Sequence, residues 1–269
     1  MREKYTEIAT QAKDANTASC CGATCCTTDV TNIMADDYSK LEGYNPEADL
    51  GLGCGLPTQF AKIKRGDTVI DLGSGAGNDA FIAWHETGPT GKVIGIDLTP
   101  AMIDRARANA EARGANNVEF RQGDIEAMPV RTDTADVIVS NCVLNLVPNK
   151  AAVFNEIYRV LKPGGHFSIS DIVLYGELPK EIQAAAEMYA GCVAGAIQKQ
   201  AYLELINLSG FSNLTIQKEK LINVPDDILK NYLNKEELHN FKSGSTGIFS
   251  ITVYAEKSKS CGCEGECCN

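Results

Sequence analysis

The chain has 269 residues, 44% of them hydrophobic and 22% charged, with 25 basic against 35 acidic side chains and a net charge of −10. That length sustains one large domain plus a small extension, and the acidic balance argues against nucleic acid or an anionic membrane as partner. The opening "MREKYTEIATQAKD" has no apolar centre of the kind a secretory signal needs, and no apolar run reaches the roughly 18 residues of a membrane span, so a cytoplasmic, monomeric protein is the expectation.

Eleven cysteines stand at 20, 21, 25, 26, 54, 142, 192, 261, 263, 267 and 268, against only three histidines. An odd number of thiols in a reducing compartment points to ligands or redox groups rather than structural disulfides. Two clusters mark the ends, "SCCGATCC" at 19–26 and "CGCEGECCN" at 261–269.

In chain order, residues 3–14 read as a short helix and 16–28 as a mobile, thiol-rich stretch. Short helices and turns follow to 63, with the glycine-rich "GLGCGLP" at 51–57 as a loop that should be flexible. A regular pattern begins with a buried strand at 68–73, a helix at 78–86 and a second strand at 92–98. The segment 99–114 reads as a helix with Thr99 as N-cap, Pro100 at its first position and Gly114 as its stop. Strands at 118–124 and 135–143 precede an amphipathic helix at 150–161 ended by "KPGG", and a fifth strand spans 166–174. Beyond Pro179, helices are expected at 180–190 and 200–211, then strands in "NLTIQKEK" and at 247–257 that extend the sheet antiparallel. Alternating strands and helices predict an α/β fold, a doubly wound, mostly parallel sheet. The divisions expected are a thiol-rich N-terminal segment (1–65), a core (66–178), a small C-terminal α+β extension (179–257) and a disordered tail (258–269).

The loop "DLGSGAG" joins the first strand to the first core helix. Its glycines permit a sharp turn and close ligand approach, and the helix N-terminus behind it offers N–H groups to an anion. Asp97 ends the second strand, where a carboxylate can take two ribose hydroxyls; Asp124 closes the third, within reach of an adenine amino group. The spacing of Gly73, Gly75 and Gly77 is not the dinucleotide pattern, whose third glycine falls one residue later.

"DLGSGAG", "GIDLTPAMIDRA", "GDIEAMP" and "RVLKPGG", in that order, resemble the class I S-adenosylmethionine (SAM)-dependent methyltransferases over about 66–175. The resemblance implies that Asp71, Gly73, Ser74 and Gly75 line the methionine end of SAM, that Asp97, Leu98 and Met102 hold ribose and adenine, and that Gly123, Asp124 and Ile125 face the adenine edge.

Cys142 ends the fourth strand, where ligands of such sheets sit; Cys54 lies in "GLGCG" and Cys192 in "GCVAGA". Each alone reads equally as a small buried hydrophobe. Together they could offer three soft thiolates to a thiophilic centre such as trivalent arsenic. "GLGCGLP", "SNCVLNLVPNK" and "GCVAGA", joined to the SAM motifs, resemble the arsenite SAM methyltransferases. That resemblance implies As(III) bound by Cys54, Cys142 and Cys192, help from Asn141 in holding SAM, and arsenite and then methylarsenite as substrates. It also implies a redox disulfide drawn from Cys20, Cys21, Cys25 and Cys26, reopened by a cellular thiol reductant of thioredoxin or glutathione type. Two other readings stand beside it: a SAM-dependent C- or O-methyltransferase of a small organic acceptor, and a thiol-rich metalloid-binding protein.

Overall fold

Runs of Val, Ile and Leu bounded by glycine turns build a sheet covered on both faces. The computed structural model describes residues 36–177, 193, 195–222, 230, 234–236, 238 and 246–259, together with 6 and 9. Within them, α1 (Pro57–Phe60) leads into β1 (Thr68–Leu72), α2 (Asn78–Thr87), β2 (Lys92–Asp97), α3 (Pro100–Arg113), β3 (Val118–Gln122) and β4 (Ala135–Asn141). Then come α4 (Lys150–Val160), β5 (Leu161–Tyr175), α5 (Lys199–Leu208), β6 (Phe211–Leu221) and β7 (Gly247–Lys257). The described strands lie in the order β3-β2-β1-β4-β5-β7-β6. Strands β1 to β5 pair in parallel, whereas β7 runs antiparallel to both β5 and β6.

The period of two along each strand sorts side chains onto opposite faces. Val69, Val93, Val137 and Val139 pack against Phe81 of α2 and Ile103 of α3. Ile70, Ile94, Ile138 and Phe167 face the other way, against Phe154 and Ile157 of α4 and Tyr202 of α5. Both faces are therefore dry, which is why these strands read as continuous apolar runs rather than alternating ones. Phe154 also meets Tyr202 edge to face at 5.6 Å, so truncating it to Ala costs about 3–5 kcal/mol.

Three details depart from the sequence reading. Thr99 occupies the N-cap of α3 but makes no capping hydrogen bond; instead its N–H donates to Asp97 Oδ1 at 2.8 Å. The "KPGG" segment does not separate helix from strand: β5 begins at Leu161, directly after α4, with a register shift in its pairing to β4 between Ala135 and Val137. A 3-10 turn, Leu144–Leu146, follows β4. The helix expected at 180–190 and the thiols Cys20, Cys21, Cys25, Cys26 and Cys192, with the tail cysteines at 261, 263, 267 and 268, lie outside the described residues. Among the described residues no helix is long and apolar enough to cross a membrane.

Candidate functional site

Strand order reverses between β1 and β4, which opens a crevice at the carboxyl ends of the parallel strands. Two adjoining cavities occupy it, sharing Leu52, Gly73, Gly75 and Asn141 as walls. The larger, about 160 Å³, is lined by Asp97, Leu98 and Met102 after β2, and by Gly123, Asp124 and Ile125 after β3. Cys142 and Val143 close it on the β4 side. The smaller, about 80 Å³, is lined by Asp71, Ser74 and Asp79 on one side and by Tyr38, Asp49 and Leu50 on the other. The glycine loop shapes both. Gly75 has φ +50, and a side chain there would meet nothing within 4 Å. Its N–H donates to Asp97 Oδ2 at 3.0 Å, so Asp97 holds the loop as well as lining the cavity.

The thiols sit at the β4 end. Cys142 has φ +61 and donates its N–H to Ser170 O of β5 at 2.8 Å. Left-handed backbone is uncommon for a residue with a Cβ, and it turns the chain sharply off β4. Cys142 and Cys54 share one buried cluster with Ile172, Leu174, Val193 and Ala196. Val193 is the chain neighbour of Cys192. Cys54 is wholly buried and lines neither cavity. Its loop, expected to be flexible, is fastened on both sides: Cys54 N–H donates to Asn141 Oδ1 at 3.0 Å, and Cys54 O accepts from Ser250 of β7 at 2.6 Å. The flanking glycines permit this approach. A Cβ on Gly53 would lie 2.7 Å from Asn141 Nδ2, and one on Gly55 2.5 Å from Ser170 Oγ.

A methyltransferase domain family matches residues 63–210. The arsenite methyltransferase of Halobacterium salinarum is 42% identical over 229 residues, covering 80% of this chain and 57% of that protein. That of Aquipseudomonas alcaligenes is 31% identical, covering 88% of this chain and 68% of its own. A crystal structure of an arsenic(III) S-adenosylmethionine methyltransferase from Chlamydomonas reinhardtii superposes with a TM-score of 0.66 at 30% identity, over 86% of this chain and 73% of that one.

This chain belongs to the arsenite methyltransferase family. It spans 57% of the Halobacterium arsenite methyltransferase. The seven described strands form the Rossmann-like sheet of class I SAM methyltransferases.

In this member of the arsenite methyltransferase family, the smaller cavity is strongly acidic. Asp71 and Asp79 are buried, and Asp71 Oδ2, Asp79 Oδ1 and Ser74 Oγ have no hydrogen-bond partner among the described residues. Burial, with Asp79 and Asp97 nearby, pushes the Asp71 carboxyl well above the usual carboxylate range. Burial pushes Asp79 up to about 6, against hydrogen bonds from Tyr38 and Asn141 that favour its ionised form. Buried acids with unmatched acceptors suit a ligand group that brings N–H donors and positive charge.

Among the lining residues that escaped the sequence reading, Tyr38 and Asp79 are joined to the Cys54 loop. Tyr38 OH donates to Asp79 Oδ2 at 2.9 Å and lies 3.0 Å from Gly55 O. Asn141 Nδ2 donates to Gly55 O at 2.8 Å and contacts both Tyr38 OH and Asp79 Oδ2. The amide of Asn141, expected to hold SAM, is thus bonded to the Cys54 loop while Asn141 also borders both cavities. The one sequence clue to Asp79 was its place in the first turn of the helix after the glycine loop.

Proposed function

We propose that this chain transfers the methyl group of SAM to trivalent arsenic, arsenite first and methylarsenite next, with Cys54, Cys142 and Cys192 as arsenic ligands. The observation that carries this is the double placement of Cys142, which lines the larger cavity and also belongs to the buried cluster with Cys54. The cleft suits SAM. Its acidic end, with the orphaned oxygens of Asp71 and Asp79, fits an ammonium group; Asp97 stands at the ribose position, and Leu98, Met102 and Ile125 give an apolar bed for adenine. When bound, SAM supplies an electrophilic methyl group carried on a sulfonium.

The chain's own residues orient and dehydrate the reactants. Arsenite arrives as neutral As(OH)₃ and exchanges hydroxyls for thiols. Each exchange forms an As–S bond, breaks an As–O bond and releases one water. Cys142, at the end of β4, holds the arsenic lone pair toward the cleft, and ordering two reactants in this way is the main source of rate. Ile172, Leu174 and Ile248 around the thiols exclude water that would compete for arsenic. As the As–C bond forms, the pair of the broken C–S bond stays on sulfur, and arsenic becomes formally pentavalent. Two electrons from a pair among Cys20, Cys21, Cys25 and Cys26 return it to the trivalent state: the pair closes to a disulfide with loss of two protons, one As–S bond breaks, and the released thiolate takes up one of those protons. A thioredoxin- or glutathione-type reductant then reopens that disulfide.

The test is incubation with arsenite, SAM and a thiol, followed by separation of arsenic species. Methylated arsenic is expected. Tight arsenite binding with no methylated product would replace the proposal with a metalloid-binding role.

A further inference from the structure

The buried group Tyr38–Asp79–Asn141 joins two parts of the site that are far apart in sequence. Asp79 borders the smaller cavity, where its Oδ1 has no hydrogen-bond partner among the described residues. Its Oδ2 accepts from Tyr38 OH at 2.9 Å and from Asn141 Nδ2 at 3.3 Å. Tyr38 and Asn141 both reach Gly55 O, and Asn141 Oδ1 accepts the Cys54 N–H. One carboxylate on the wall of the smaller cavity therefore leaves one oxygen without a partner among the described residues and is linked by the other, through Tyr38 and Asn141, to the backbone on both sides of the Cys54 thiol.

We infer that Asp79 and Tyr38 are positioning residues that couple occupancy of the cofactor cleft to the placement of Cys54. A cationic group entering beside Asp79 holds its carboxylate ionised. The single hydroxyl proton of Tyr38 goes to Asp79, so its oxygen accepts from Asn141 Nδ2; an ionised carboxylate strengthens this chain, and the polarised Asn141 amide is then the stronger acceptor for the Cys54 N–H. A buried phenol strengthens the link: burial and the Asp79 carboxylate keep Tyr38 protonated, so it remains a donor. Coupling between sites is reciprocal, so the loop fixed by an arsenic–sulfur bond also favours the filled cleft. The inference rests on SAM occupying the cleft and not on arsenic being the acceptor.

The experiment uses the whole chain with S-adenosylhomocysteine, which fills the cleft without delivering a methyl group. Amide hydrogen exchange is followed at Cys54, whose N–H is held by Asn141. In the unaltered chain S-adenosylhomocysteine is expected to slow that exchange by about tenfold, within the usual range of coupling between sites. Tyr38→Phe removes one hydroxyl and leaves the cavity-facing oxygen of Asp79 in place. In it the slowing should fall below about threefold while S-adenosylhomocysteine still binds. Asp79→Asn, similar in shape but uncharged, should lose the slowing as well. A Cys54 amide indifferent to S-adenosylhomocysteine in the unaltered chain overturns the inference, as does full slowing retained in both variants. Arsenite methylation is assayed separately. Its absence would sink the proposed acceptor and leave the exchange result standing.

Discussion

Replacing Gly55 with Ala probes the glycine pair around Cys54. A Cβ at this position would sit 2.5 Å from Ser170 Oγ, 2.7 Å from Ser170 Cβ and 3.4 Å from Thr252 Oγ1. Carbon atoms pack at about 3.5–4.0 Å, so the loop or β5 must yield by about 1 Å. Ser170 cannot yield cheaply, because its backbone pairs with both β4 and β7 and its hydroxyl is 2.8 Å from Thr252 Oγ1 in the buried interior. The loop moves instead, and with it Gly55 O, which accepts from Asn141 Nδ2 and lies against Tyr38 OH. Overpacking of this kind costs about 1–3 kcal/mol of stability, and a 1 Å misplacement of a reacting group costs roughly a hundredfold in rate. Urea denaturation and arsenite methylation measure the two separately, with SAM affinity as the control for the glycine loop after β1. The variant Gly55→Ala/Ser170→Gly removes the clashing side chain and should recover at least part of the activity. Wild-type turnover in Gly55→Ala, or a double variant no better than the single one, would refute the argument from close packing.

Asp97→Ala removes acceptors for the N–H groups of Gly75 and Thr99 as well as the proposed ribose partner, so SAM affinity should fall by tenfold or more, at about 1.5–3 kcal/mol per charged hydrogen bond. Arsenite binding should persist, and unchanged SAM affinity by titration would remove Asp97 from the cofactor site. Cys142→Ser should lose arsenite methylation while keeping SAM affinity, because a hydroxyl is a poor ligand for a soft centre; full activity on arsenite would sink the whole thiol assignment. Asp171 is buried in β5, and burial raises its carboxyl to about 7 in spite of the Ile172 N–H, Lys150 and Tyr202 OH that favour ionisation. The folded state thus prefers the neutral acid: its contribution is complete below about pH 4 and is lost as pH rises through 7, by about 4 kcal/mol for some three units. Asp171→Asn should flatten that slope between about pH 4 and 7 in urea midpoints, and an equal slope in both proteins would exclude Asp171 as its source.

The cofactor cleft was legible because its signals are local. The glycine loop, Asp97 and Asp124 each sit at a strand end that Val- and Ile-rich runs announce, and a parallel sheet brings strand ends together whatever else the chain does. Cys142 was placed by the same rule. The environment of Cys54 was not, because it depends on contacts at long range: Tyr38 with Asp79 is 41 residues apart, Tyr38 with Asn141 103, and Cys54 with Ser250 196. Glycines around Cys54 look like freedom in the sequence, whereas in the fold they allow tight contact with Asn141 and Ser170. The departure at β5 has a similar origin. "KPGG" is a turn signal by composition, yet pairing of Leu161 with Ala135 begins the strand before it.

The site separates its chemistry along the cleft. Carboxylates line both cavities, Asp71 and Asp79 the smaller, Asp97 and Asp124 the larger. The described neighbours of Cys54 and Cys142 within their cluster are instead Ile172, Leu174, Val193, Ala196, Ile222 and Ile248. The division follows from what each reactant brings. An ammonium group gains from acids whose ionised form burial disfavours, since its charge offsets their desolvation. Arsenite is neutral and sheds its hydroxyls as water, so an apolar pocket admits it without the cost of burying an ion. Asn141, bordering both cavities and bonded to the Cys54 loop, stands where the two requirements meet.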